Sequence, residues 1–214
     1  DLNGDGYDDI LVGAPQAGKD HNGVVYVRYG RSRKMSEIDL TTAVQFTGEN
    51  GLDNFGVAMA NVGDINGDGF DDVVVGANQF DSNSASRAGA IYIIYGQATR
   101  YTSQSATQFV RLQGASSGGE LGLAVAAAGD VNGDGLADVI AGAPYESNRA
   151  GKVYLVYGQT EAFTSSTITN RAIALSGESA SDYAGYSLAA NDLNADGYSD
   201  MVVGAYRNDD GGSN

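Results

Sequence analysis

Within the 214 residues a nine-residue pattern occurs four times: DLNGDGYDD from Asp1, DINGDGFDD from Asp64, DVNGDGLAD from Asp130 and DLNADGYSD from Asp192. Side-chain oxygens recur at positions 1, 3, 5 and 9. The four sets are Asp1, Asn3, Asp5 and Asp9; Asp64, Asn66, Asp68 and Asp72; Asp130, Asn132, Asp134 and Asp138; Asp192, Asn194, Asp196 and Asp200. Position 7 is Tyr7, Phe70, Leu136 or Tyr198, which can offer only a backbone carbonyl. Alternate residues of a tight loop can turn their oxygens inward, and such a set suits a hard cation. Gly6, Gly69, Gly135 and Gly197 stand at position 6, where the chain must turn sharply. Three carboxylates and one amide oxygen suit Ca²⁺ better than Mg²⁺, whose octahedral demands are stricter. Zinc would want His or Cys, and the chain has one His and no Cys.

Two other calcium loops begin in the same way. An EF-hand needs a bidentate Glu at position 12 and flanking helices. A dockerin-like loop also places an acid near position 12 and continues into helix. Position 12 here is Val12, Val75, Ala141 or Val203, inside a strand-like run, so both fail. A single D-x-N-x-D-G could be a self-bonded Asx turn. Four copies, each with a further Asp at position 9, make that reading weak.

Catalytic alternatives find little support. His21 lies in a polar loop, and a general base needs a partner within reach. Carboxylates gathered around a cation are poor proton donors, and no nucleophile–base pairing is visible. The chain reads as a binding protein and not as an enzyme.

The loops must be positioned by whatever repeats with them. Their starts are separated by 63, 66 and 62 residues. Each loop runs at once into an apolar stretch and a glycine turn: ILVGAP to Pro15, VVVGAN to Asn78, VIAGAP to Pro144 and MVVGAY to Tyr206. Then come GVVYVRYG from Gly23, GAIYIIYG from Gly89 and GKVYLVYG from Gly151, β-branched and aromatic runs bounded by glycine. A third segment ends in VQFTGE, VRLQGA and AIALSGE. A fourth precedes the later loops: FGVAMANVGD from Phe55, LGLAVAAAGD from Leu121 and AGYSLAAND from Ala184. Four strands per repeat, with the Asp loop between the innermost pair, describe a propeller blade. The pairs Tyr26/Tyr29, Tyr92/Tyr95 and Tyr154/Tyr157 are spaced by three, so they should face opposite neighbouring blades. A β-sandwich with chance similarity is the alternative, and copies in register count against it.

Composition agrees. The chain carries 31 Gly and only 2 Pro, with 13 Tyr against 6 Phe, a mixture for short strands and glycine turns. Its formal charge is −15, and 14 of the 27 acidic residues lie in the four loops. Such clusters repel themselves unless a cation sits among them. A nucleic-acid partner would need basic stripes. No stretch approaches the ~20 apolar residues of a membrane span.

Phe55-Gly56 ahead of a loop, with Gly13-Ala14-Pro15 or Gly142-Ala143-Pro144 after one, resembles the FG-GAP repeats of integrin alpha subunits and related secreted proteins. The resemblance spans essentially the whole chain, with departures at Leu121, Ala184, Asn78, Tyr206 and Ala195. It implies an all-β fold: a β-propeller of four-stranded antiparallel blades, here one segment (residues 1–214) of a seven-bladed ring. Strands two to four of one blade, two full blades and two strands of another are expected. The strand that should precede Asp1 is outside the sequence, so the first site is expected to lack that support. The resemblance further implies Ca²⁺ in the loops and a protein or carbohydrate ligand on the opposite face. That face comprises residues 16–22, 79–88, 145–150, 49–54, 116–120 and 178–182. An extracellular or cell-surface adhesion module is the first expectation. A non-catalytic region beside a secreted hydrolase, or an architectural repeat of a bacterial surface protein, is the alternative.

Overall fold

The computed structural model describes residues 1–32, 39–82 and 84–208. Almost all regular structure is strand. The first sheet holds β1 (Ile10–Ala14), β2 (Val24–Arg28) and β3 (Val44–Thr47). The second repeat supplies β4 (Met59–Gly63), β5 (Asp72–Ala77), β6 (Ala90–Ile94), the short β7 (Gln104–Ser105) and β8 (Val110–Gln113). The third supplies β9 (Ala124–Gly129), β10 (Asp138–Ala143), β11 (Lys152–Val156), the short β12 (Ser166–Thr167) and β13 (Ala172–Ser176). Last come β14 (Ala184–Asn191) and β15 (Asp200–Ala205). In the two complete repeats the antiparallel orders are β4-β5-β6-β8 and β9-β10-β11-β13. These are propeller blades, with each Asp loop joining the first strand to the second.

Residues alternate between two faces along each strand, and each face meets a different neighbouring blade. From β5, Val73 and Val75 pack with Val25, Val27 and Phe46 of the first blade, while Val74 packs with Val139 and Tyr154 of the third. The third and fourth blades meet through Ile140, Val153, Leu155, Leu188 and Met201. The tyrosine pairs follow the same rule. Tyr92 joins the cluster between the first two blades and Tyr95 the next one; Tyr154 and Tyr157 divide in the same manner.

Glycine lets the blades cross. A Cβ on Gly76 of β5 would lie 2.0 Å from the carbonyl oxygen of Gly122 in the next blade, and the Gly142–Gly185 pair repeats the approach. The motif glycines ahead of and behind the Asp loops are therefore partners across a blade interface. The two-residue strands are a feature that the sequence did not announce. In the linker of each complete blade, one pairs in parallel with the outer strand of the blade before it, β7 with β3 and β12 with β8. Ser103 and Ser165 reinforce the seam, each accepting a backbone N–H through its hydroxyl oxygen (from Gln45 at 2.9 Å and Arg111 at 3.0 Å).

Candidate metal centres

The four Asp loops fold alike. Gly67 and Gly69, at loop positions 4 and 6, have φ of 78° and 87°, and the same left-handed pair recurs in the first and third loops. That geometry turns the chain back on itself around Asp64. One oxygen of Asp64 accepts the N–H groups of Gly67 (2.6 Å) and Asp68 (3.2 Å), and the other that of Gly69 (2.8 Å). The Asn66 amide bridges to Asp68, donating to its carboxylate at 2.9 Å and accepting its N–H at 2.9 Å. Asp68 in turn accepts the Phe70 N–H at 3.0 Å. Asp130, Asn132 and Asp134 make the equivalent bonds. Asp192, Asn194 and Asp196 repeat the Asn–Asp bridge and the bonds from the N–H groups at positions 5, 6 and 7.

Position 9 behaves differently. Asp72 is fully buried and accepts from Ile65 N (2.9 Å) on one oxygen and Gly96 N (2.7 Å) on the other. Asp138 brackets Val131 and Gly158 in the same way, and Asp9 brackets Leu2 and Gly30. This residue thus ties the loop to the turn after the third strand. Burial pushes the Asp72 carboxyl up to about 6, against the opposing pull of those two N–H donors, and the charges of Asp68 and Asp64 push it further. Asp138 is raised for the same reasons.

The side chains expected at each site are therefore gathered within one loop and linked by hydrogen bonds. Among the described residues, however, no three Asp, Glu or His groups converge as a ready-made cage. The donor set nonetheless fits a hard cation. It is all oxygen, it brings several carboxylates into one short loop, and one loop holds a polar atom without a partner. Asn3 is 8% exposed, its amide nitrogen donates to Asp5 at 2.9 Å, and its Oδ1 has no hydrogen bond. An orphaned amide oxygen beside a carboxylate is what a bound cation would satisfy.

Three features of the loops were not legible in the sequence. Position 4 needs glycine for two reasons: its positive φ, and contact with the next loop. Added Cβ atoms on Gly4, Gly67 and Gly133 would lie 2.7, 3.2 and 2.9 Å from Phe70, Leu136 and Tyr198, so each position-7 side chain leans on the preceding loop. Ala195 holds the same left-handed conformation at φ 62° despite its Cβ. Finally, Arg100 from the second blade reaches Asp5 of the first loop at 2.9 Å. No short-range signal could connect residues 95 positions apart.

Comparison with known proteins places these loops in context. The model of the FG-GAP repeat matches residues 1–27, 55–94 and 121–156. Chicken integrin alpha-6 is 35% identical over 198 residues, 92% of this chain and 17% of that protein. Human integrin alpha-7 is 32% identical over the same length, which is 15% of that protein. Bovine phosphatidylinositol-glycan-specific phospholipase D is 36% identical over 152 residues, 68% of this chain and 18% of that protein. The chain thus spans about a sixth of the length of the relatives it matches.

Proposed function

The chain is an FG-GAP repeat region like that of integrin alpha subunits, and from that premise we propose that it is a calcium-stabilised propeller module for extracellular ligand binding or cell adhesion. In this reading each loop holds one Ca²⁺ through its position 1, 3, 5 and 9 oxygens and the position-7 carbonyl. The ion supplies charge neutralisation, and no reaction depends on it. The observation that carries the proposal is the repetition of one oxygen-only loop ahead of the second strand of successive blades, its position-1 carboxylate accepting the N–H groups at positions 5 and 6 and its position-5 carboxylate that at position 7 in all four copies. The orphaned Asn3 oxygen supports it.

The rest of the work is done by the chain itself. Position-1 carboxylates wrap the loop backbone, and position-9 carboxylates hold it to the strands. The ligand, a protein or a carbohydrate, is taken by the face opposite the Asp loops, where the loop after β1, the loop after β5 and the connections after β3 and β8 come together. Residue 83 of that face lies outside the described residues.

The test is calcium binding by dialysis together with thermal melting. One ion per intact loop and a melting point that rises with Ca²⁺ and falls on chelation are expected. A melting curve indifferent to both sinks the calcium reading.

A second reading, a non-catalytic region beside a secreted hydrolase, draws on the similarity to the phospholipase D. Adhesion of cells to the immobilised protein, competed by the protein in solution, supports the first reading. Absence of adhesion, together with loss of a neighbouring domain's activity when this region is removed from the full protein, supports the second.

A further inference from the structure

The linker that follows the third strand of a blade lies against the Asp loop of the preceding blade, and two such linkers can be compared atom for atom. In the second blade, Gln97 N donates to Leu2 O at 3.0 Å and Tyr101 N to the Tyr29 hydroxyl at 2.8 Å. In the third, Gln159 N donates to Ile65 O at 3.0 Å and Phe163 N to the Tyr95 hydroxyl at 3.1 Å. This register makes Arg100 and Ala162 equivalent, each one residue before its aromatic anchor. Yet only Arg100 carries charge.

Arg100 is held from three sides. Its guanidinium donates to Asp5 at 2.9 Å, lies 5.0 Å from the centre of the Tyr29 ring, and reaches the Gly30 carbonyl at 3.5 Å. Asp68, the residue in the second loop that matches Asp5, has no cation at ion-pair distance among the described residues.

We propose that Arg100 is a built-in competitor of the cation at the first loop, which makes that loop a weaker, salt-sensitive calcium site than the loop at Asp64. This rests on the calcium reading above. A cation entering the first loop must displace the guanidinium from Asp5 or share that carboxylate with it; at the second loop the Asn66 amide and the Phe70 N–H lie on the matching carboxylate, and no basic side chain among the described residues has to leave. The guanidinium also neutralises part of the first loop when no ion is present, so that loop should keep its shape on chelation better than the second.

Calorimetric Ca²⁺ titration of the whole chain tests this with Arg100→Ala, Ala162→Arg and, as a control, Asp68→Ala. Arg100→Ala should tighten one weak equivalent about two- to fivefold, the scale of an exposed ion pair. Ala162→Arg should weaken one tight equivalent by a similar factor. Both shifts should shrink in 0.5 M NaCl, because these charges are exposed to screening. Arg100 is 54% exposed, so its truncation should not unfold the protein, and Ala162→Arg tests the idea independently. If Asp68→Ala removes one equivalent while both arginine variants leave the isotherm unchanged, the competitor role is wrong and the calcium reading stands. If Asp68→Ala removes nothing, the calcium reading itself fails.

Discussion

Asp53 shows what an unneutralised acid costs this molecule. It is 2% exposed and accepts the Asn50 backbone N–H at 2.8 Å, yet burial raises its carboxyl to about 6, with Glu49 and Asp81 pushing the same way. Because the folded value lies above the unfolded one, the folded form takes up the proton first as pH falls from about 6 to 4, and stability rises across that window. Above it the full cost of the buried charge is present. Asp53→Asn keeps an acceptor for Asn50 and should stabilise the protein at pH 7.5 by about 1 kcal/mol, after allowance for solvent screening. Melting curves should show the gain vanishing near pH 4; an equal gain at both pH values would contradict the assignment. Ala195 offers a second case at this scale. Its φ of 62° is the position-4 conformation that glycine adopts in the other loops. Ala195→Gly should relieve strain worth about 0.5–1 kcal/mol, net of the extra freedom glycine has when unfolded. Differential scanning calorimetry with and without Ca²⁺ would check it, and a lower melting point would count against the strain.

At the scale of elements, the strands were largely readable and their seams were not. VVYV, AIYII and KVYLV are β-branched and aromatic runs closed by glycine, and they form β2, β6 and β11 as their pattern implies. Tyrosines three apart on a strand reach opposite blades because side chains alternate across the pleat. By contrast, β7 and β12 are Gln-Ser and Ser-Thr. Two polar residues have no period to detect, and their parallel partners lie more than fifty residues away. The loop ligands were legible by type and spacing. The bracketing role of position 9 was not, since it depends on the N–H of Gly30, Gly96 or Gly158 arriving from the turn after the third strand. The glycine pairs between blades give the sharpest element-level expectation. Gly76→Ala would drive a methyl group to 2.0 Å from the Gly122 carbonyl, and backbone must move to relieve it. A loss of about 2–3 kcal/mol by urea melting is expected, in the range of overpacked cores. A change within about 0.5 kcal/mol would show that the crossing is looser than the backbone contact implies.

For the molecule as a whole, charge and fold pull against each other. A formal −15 disfavours any compact state through self-repulsion, and more than half of the acids are crowded into four loops on one face. Four divalent ions would bring −15 to −7, but any salt screens some of that repulsion, so a melting point that rises on adding CaCl₂ does not by itself prove a site. Specific binding and screening differ in concentration dependence. A site with ligand at 100 times its dissociation constant adds about 2.7 kcal/mol and each further tenfold about 1.4 kcal/mol, a gain reached at concentrations where ionic strength is still low, whereas screening needs enough salt to shorten the Debye length. Millimolar CaCl₂ should therefore raise the melting point well beyond NaCl of matched ionic strength, and beyond MgCl₂, because loops of flexible oxygen ligands suit the larger ion. Asp68→Ala and Asp134→Ala should each remove one share of that rise while leaving the NaCl response intact. Equal responses to all three salts would mean that the loops are self-bonded turns after all. In that case the hydrogen bonds within Asp64–Asp72 and its counterparts would be what holds each blade's first two strands together.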